Sequence, residues 1–291
     1  MSVPPSVSGN PAQSNQDFVN RLTPFWGKEE AEAIVRQLWE EFFGSGRMAI
    51  PFGPAIWPAN QAEMLEPLLI RLENKEPLQY VLGKVWFGDL ELKVNASVLI
   101  PRPETEELVH WLLETKDQKD KTVLDLCTGS GCIALALRKK GNWDSVAGLD
   151  VSVDALQVAR ENGEHLGLKV DWLEADLLKT DPGISGEWDV WVSNPPYVLS
   201  SEKMAMDPNV LDFEPHLALF VEDTDAVLFY RRILELGCRH LKPGGAVYFE
   251  LNPLTVAEVE KEFSRLGYVD VEIRKDMFGK DRMMRGFRPM V

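Results

Sequence analysis

The chain has 291 residues, 45% hydrophobic and 26% charged, with 46 acidic against 31 basic side chains and a formal charge of −15. This is ordinary globular material, and the acidic balance argues against unspecific affinity for nucleic acid or an anionic membrane, because neutralising phosphates needs clustered cations. Three cysteines (Cys127, Cys132, Cys238) build no disulfide framework, four scattered histidines suggest no metal site, and no apolar run approaches membrane-spanning length; a cytoplasmic protein is expected.

Residues 1–16 are rich in Ser, Pro, Asn, Gln and Gly and lack both a basic start and an apolar core. They read as a disordered tail and not as a signal peptide. Residues 17–83 follow a helical period: Ala31, Ile34, Val35, Leu38, Trp39 and Phe42 share one face, Gly44 and Gly46 end that segment, and Asn60 can cap a second helix striped by Leu65, Leu68, Leu69 and Leu72. This small helical domain has no catalytic-looking polar cluster, so it either packs or recognises a partner. Residues 84–100 read as a β-hairpin linker, with Phe87, Leu90, Leu92 and Val94 on short strands, 98–100 as another, and a turn near Asn95-Ala96-Ser97.

Pro101-Arg102-Pro103-Glu104-Thr105-Glu106-Glu107 opens a helix, the prolines and acids suiting its first turn. Arg102, Glu104 and Glu107 either orient a substrate or pair around that helix start. From residue 122 strands and helices alternate: strands at 122–127, 145–150, 170–173, 188–193 and 246–251, with helices at 131–140, 153–166, 225–241 and 255–266. Two closing strands, 268–274 and 283–287, have no helix between them. The pattern predicts an α/β fold over 101–291, a mostly parallel sheet covered on both faces with an antiparallel edge strand.

The most specific stretch ends the strand at 188–193. Asn194-Pro195-Pro196-Tyr197 offers an amide side chain, the free backbone carbonyl of Pro195 and an aromatic face at one sharp exit, parts that suit gripping a planar amino group. A second stretch, Asp125-Leu126-Cys127-Thr128-Gly129-Ser130-Gly131, follows the first strand and opens a helix. Gly129 and Gly131 permit a tight turn and close ligand approach, but position 134 is Ala and no phosphate-cradling Lys is present. Asp150, ending the second strand, suits a bidentate grip on ribose hydroxyls, and Asp176 follows the third strand at the same sheet edge, where it meets an adenine amino group or caps a turn. Asp125 is either a carboxylate near a cationic ligand group or a structural acid under the loop.

These parts resemble class I S-adenosylmethionine methyltransferases, whose cofactor has no phosphate. The resemblance narrows when Pro77-Leu78-Gln79-Tyr80, the stretch Ile100-Pro101-Arg102-Pro103-Glu104-Thr105-Glu106, the loop from Asp125 to Gly131 and Asn194-Pro195-Pro196-Tyr197 are taken in order. Phe213-Glu214-Pro215 and Lys242-Pro243-Gly244-Gly245 agree as well. Over residues 60–285 the chain is similar to the release factor glutamine methyltransferases of the HemK/PrmC type. The resemblance implies a Rossmann-like class I methyltransferase domain behind a helical substrate-recognition domain. It also implies S-adenosyl-L-methionine as cofactor, S-adenosyl-L-homocysteine as product, and methylation of the glutamine amide in the Gly-Gly-Gln motif of class-1 peptide chain release factors.

By the same analogy Cys127, Thr128, Gly129, Ser130, Gly131, Asp150, Asp176, Leu177 and Asn194 contact the cofactor. Asn194, Pro195, Pro196 and Tyr197 hold the glutamine, with Asn194, Pro195 and Tyr197 catalytic, and Phe87 flanks the transfer site. No metal, nucleic acid or membrane partner is expected, and a monomer is. Departures fall in loops: Leu177 stands where an aromatic is usual, and Leu251-Asn252-Pro253-Leu254 replaces a typical glycine and glutamine. Two other readings are an adenine exocyclic-amine methyltransferase acting on DNA or RNA, and a non-catalytic cofactor-binding module.

Overall fold

The computed structural model describes residues 13–44, 56–114 and 118–290. The chain forms two units, Met1–Leu82 and Gly83–Val291. The expected tail up to residue 12 lies outside the described residues, whereas residues 13–16, assigned to that tail, are ordered. Gln13–Ser14 (β1) pairs antiparallel with Ile56–Trp57 (β2), and Ser14 caps α1 through a reciprocal bond with Asp17. Ser followed three residues later by an acid is a local helix-start signal that outweighs the polar composition around it.

In the first unit α1 (Asn15–Trp26), α2 (Lys28–Phe43), α3 (Ala59–Glu73) and α4 (Leu78–Leu82) pack around one apolar cluster. The α2 stripe of Ala31, Ile34, Val35 and Leu38 is buried there, and the backbone of Gly44 caps the helix; Gly46 lies outside the described residues. Trp57 is fully buried, ringed edge-on by Phe18, Trp39, Phe42 and Phe43, with its indole N–H donated to Asn15 Oδ1 at 2.6 Å. Burying an aromatic of this kind removes roughly 200 Å² from water, about 5 kcal/mol of driving force. The cap of α3 is Pro58, not Asn60, which sits one residue inside the helix; proline at such a start has no N–H to leave unsatisfied.

The second unit begins with a hairpin, β3 (Lys84–Phe87) and β4 (Leu90–Lys93). Its turn is at Gly88-Asp89 and not at residues 95–97. Gly88, with φ of 57°, supplies the positive φ that a two-residue hairpin turn requires, and a turn at Asn95 follows separately through Val98 N–H to its carbonyl. Residues 98–100 form no strand.

The hairpin leads to α5 (Pro103–Leu113), β5 (Thr122–Leu126), α6 (Cys132–Lys140), β6 (Ser145–Asp150), α7 (Val153–Leu166), β7 (Asp171–Glu174) and β8 (Trp188–Ser193). A stretch of short elements follows: β9 (Val198–Leu199), α8 (Pro208–Phe213), α9 (His216–Leu219) and β10 (Phe220–Val221), β9 pairing with β10 in parallel. Then come α10 (Leu228–His240), β11 (Leu241–Glu250), α11 (Val256–Arg265), β12 (Val269–Lys275) and β13 (Asp281–Phe287).

Seven strands make one sheet in the order β12-β13-β11-β8-β5-β6-β7, with only β13 antiparallel to its neighbours. The parallel run carries a buried core on each face, as the alternating strand and helix pattern demands. After β5 the chain moves outward through β6 and β7, then returns to place β8 on the other side of β5. Between β5 and β8 the order reverses, and a crevice opens beyond the carboxyl ends of those strands. Leu126 pairs with Ser193 across that junction, so Cys127 and Asn194 leave the sheet side by side. Among the described residues no helix is long and apolar enough to cross a membrane.

Candidate active site

On one side of the crevice lies the loop after β5. Its backbone turns through positive φ at Cys127 (61°), Gly129 (55°) and Gly131 (80°). A Cβ on Gly131 would come within 2.7 Å of the Trp172 ring and 3.2 Å of Ala159, so both conformation and space require glycine there. Beneath the loop Asp125 is fully buried and accepts from Thr128 Oγ1 at 2.5 Å and from Ala134 N–H at 3.2 Å. This geometry gives Asp125 the structural role under the loop, and burial pushes its carboxyl up to about 7.

Asp150, at the end of β6, accepts Gly129 N–H and Ser152 N–H, each at 2.9 Å. One acid thereby joins the glycine loop to the start of α7, and burial raises its pKa as well. Asn162, fully buried on α7, holds the Ser130 carbonyl at 3.0 Å and both backbone groups of Lys93, locking the loop to the hairpin. Burial pushes the Cys127 thiol up and that of Cys132 to about 12. Neither is a thiolate nucleophile near neutral pH.

The other side of the crevice belongs to β8. Ser193 donates to the Leu126 carbonyl at 2.6 Å, and Pro195 and Pro196 are buried. Asn194 donates through Nδ2 to Thr105 Oγ1 at 3.1 Å, Thr105 donates to Glu250 Oε2 at 2.6 Å, and the Tyr197 hydroxyl donates to Glu250 Oε1 at 3.0 Å. Asn252 Nδ2 reaches the Tyr197 carbonyl at 3.1 Å and Glu202 at 2.8 Å. Burial, then the charge of Glu250, hold the Tyr197 phenol well above its ordinary range, so it stays protonated.

A cavity of about 290 Å³ lies between the two sides. It brings together Cys127, Thr128, Gly129, Ser130, Asp150, Asp176, Leu177, Asn194 and Pro196 of the expected site, with Leu149, Ile133 and Phe229 adding apolar wall. Asp176 also folds back on its own turn, accepting Leu178 N–H at 2.9 Å. Gly131, Pro195 and Tyr197 stand outside the lining. Phe87 is not brought there either: it pairs with Leu90 across the Gly88 turn, is 2% exposed in the core and borders a separate cavity of about 490 Å³ beside Trp111.

Arg102 is likewise explained by structure, since it binds the buried Glu214 at 2.5 Å, and Glu107 accepts Met277 N–H at 3.1 Å. Thr105, Asn162, Glu250 and Asn252 were not singled out by sequence reasoning as members of the site. Thr105 lies in the Ile100 to Glu106 stretch and Asn252 in the atypical Leu251 to Leu254 stretch, but no local pattern sets any of the four apart.

A curated release factor glutamine methyltransferase from Flavobacterium psychrophilum is 39% identical to this chain over 273 residues, covering 92% of the chain and 95% of that protein. The chain belongs to the release factor glutamine methyltransferase family. A second member, from Bacteroides thetaiotaomicron, is 40% identical over 281 residues, covering 93% of this chain and all of that one. The broader family described as methyltransferase small domain matches residues 105–211, which run from Thr105 through the glycine loop and Asn194. Among solved structures a methyltransferase from Pyrococcus furiosus superposes with a TM-score of 0.54 at 21% identity, over 80% of this chain and 100% of that one, a likeness that establishes the fold. The glycine loop and the Asn194 segment thus lie within a methyltransferase scaffold, and these two family members each align along more than nine-tenths of the chain.

Proposed function

We propose that this protein methylates the side-chain amide nitrogen of the glutamine in the Gly-Gly-Gln motif of a class-1 peptide chain release factor, using S-adenosyl-L-methionine and leaving S-adenosyl-L-homocysteine. The names of its relatives support the substrate class. The observation that carries the chemistry is Asn194, which lines the cavity beside the glycine loop: its nitrogen is held by Thr105, which leaves Oδ1 as the acceptor of that side chain for a substrate.

The residues present fit the cofactor. The cavity has apolar walls for a base, the Asp150 carboxylate has lone pairs beyond the two N–H groups it accepts, and the cation at its rim, Arg102, is engaged by Glu214. That set suits a cationic, phosphate-free nucleoside. The loop from Cys127 to Gly131, with Asp150, Asp176 and Leu177, would hold it. The cofactor when bound supplies an electrophilic methyl group: a C–S bond breaks, an N–C bond forms, and one amide proton passes to water.

An amide nitrogen is a poor nucleophile because its lone pair is delocalised. Asn194 Oδ1 and, next to it in the chain but outside the cavity lining, the Pro195 carbonyl would each accept one of its N–H bonds, aiming the lone pair at the methyl group. The Tyr197 ring, also outside that lining, would pack against the amide plane of the entering glutamine. The helical unit would dock the release factor, in the cytoplasm where translation runs. Labelled S-adenosylmethionine offered with release factor, with nucleic acid and with neither decides the reading. Label should enter the release factor alone and vanish when the motif glutamine is replaced; label in nucleic acid refutes the assignment.

A further inference from the structure

The acceptor side of the crevice contains a buried carboxylate outside the proposed contacts with substrate or cofactor. Glu250, the last residue of β11, is 1% exposed, and each of its oxygens takes one hydroxyl donor: Thr105 at 2.6 Å and Tyr197 at 3.0 Å. Its own carbonyl accepts the Tyr230 hydroxyl at 3.1 Å, which fixes the strand end. An ionised carboxylate only accepts, so the single proton of the Thr105 hydroxyl is committed to it. The Thr105 oxygen then offers only lone pairs, and the group 3.1 Å away on Asn194 has to donate. That group is Nδ2. An amide held by its nitrogen turns its oxygen the other way.

We propose that Thr105 and Glu250 are positioning residues that set which end of the Asn194 amide meets the substrate, presenting the acceptor Oδ1 and withholding the donor Nδ2. The inference rests on the proposed reading of Asn194 as the grip on a glutamine amide. The two ends of an asparagine amide have nearly the same shape, so packing alone discriminates weakly between them; a chain of donors and acceptors anchored on a buried anion discriminates strongly. The choice matters because the reacting nitrogen brings two N–H donors. Nδ2 in front would place donor against donor. The same chain selects glutamine over glutamate, since a carboxylate has no N–H for Oδ1 and would set acceptor against acceptor. Burial raises the Glu250 pKa, while the Thr105 and Tyr197 hydroxyls and the Arg282 charge favour the ionised form on which the chain depends.

The test uses full-length protein and release factor. Thr105→Val keeps the shape and removes the hydroxyl; kcat should fall about 10- to 100-fold, as for a misaligned reacting group, with cofactor affinity and the KM for release factor unchanged. Thr105→Ser should restore kcat. Independently of activity, the Asn194 side-chain NH2 resonances, assigned by their loss in Asn194→Ala, should move on Thr105→Val. Wild-type kcat in Thr105→Val, equal impairment of the Val and Ser variants, or unmoved Asn194 resonances would each overturn the proposal. A wild-type protein inactive on release factor would instead refute the assigned reaction, and the resonances would still decide how Asn194 is oriented.

Discussion

The two sides of the crevice are built by different means. On the cofactor side the ligand-facing surface is mainly backbone, the turned loop from Cys127 to Ser130, and the bonds made to that loop are shorter in range: Thr128 to Asp125 across three residues, Gly129 to Asp150 across 21 and Asn162 to Ser130 across 32. On the acceptor side it is side chains, and their bonds span 53, 89 and 145 residues, tying α5, the exit of β8 and the end of β11 together. A backbone cradle needs only one strand–loop–helix passage and its neighbour. A side-chain grip exists only after the sheet is assembled, because none of its members is held by sequence neighbours. Cofactor binding should therefore be separable from transfer.

The sharpest way to break this division is Asn194→Ala. It removes the proposed acceptor and nothing from the loop, so kcat should fall by about 10²- to 10³-fold, with cofactor affinity by calorimetry essentially unchanged. Retained turnover would dissolve the acceptor side as described. Asp150→Ala probes the opposite side. It removes the acid that accepts Gly129 and Ser152 N–H, and cofactor affinity should weaken about 10- to 100-fold, the worth of hydrogen bonds to a charged group. With saturating cofactor its kcat should stay close to wild type. A kcat as low as that of Asn194→Ala would mean that the two sides are one unit.

The contrast also explains what was legible. The glycine loop, Asp150 and the Asn194 segment each sit at the end of a strand marked by its own apolar run, so pattern and turn chemistry exposed them, and the strand and helix alternation exposed the sheet. Glu250 and Thr105 carry no local signature: one reads as the end of an apolar strand and the other as part of a helix start, and only the order β11-β8-β5 makes them neighbours of Asn194. Arg102 was ambiguous for the same reason, since Glu214 lies 112 residues away. The role expected for Phe87 came from the family resemblance alone, with no local chemistry behind it, and the fold pairs Phe87 with Leu90 across the Gly88 turn and buries it in the core.

A smaller effect tests whether the cofactor side carries a latent charge. Desolvation raises the Asp125 carboxyl from 3.8 to about 7 in the folded chain, and the nearby Asp150 adds to that rise. Because the folded value is the higher one, the protonated form favours folding. That contribution is complete below about 3.8 and is lost as pH rises through about 7. Asp125→Asn keeps an acceptor for Thr128 and Ala134 but does not titrate. The variant should therefore gain a few degrees in Tm over wild type as pH rises from 4 to about 7, with no further gain above. A constant difference at every pH would show that Asp125 does not exchange its proton in this range.

The smallest change is expected from Tyr197→Phe, and it separates the two arms that meet on Glu250. The substitution keeps the half-buried ring and removes the donor to Oε1, while the Thr105 bond to Oε2 and the Asn194 bond to Thr105 remain. Asn194 should stay oriented, so kcat should drop only about fivefold, the worth of roughly 1 kcal/mol for one hydrogen bond. Cofactor affinity should not change. The pH profile carries the sharper sign: the Tyr197 hydroxyl favours ionised Glu250, so its loss raises the Glu250 pKa further. Activity requires that carboxylate as an acceptor, and the acid limb of the kcat profile should move to higher pH. A drop as deep as that of Asn194→Ala, with the acid limb unmoved, would show that the phenol acts on the substrate directly and that Glu250 anchors a single arm.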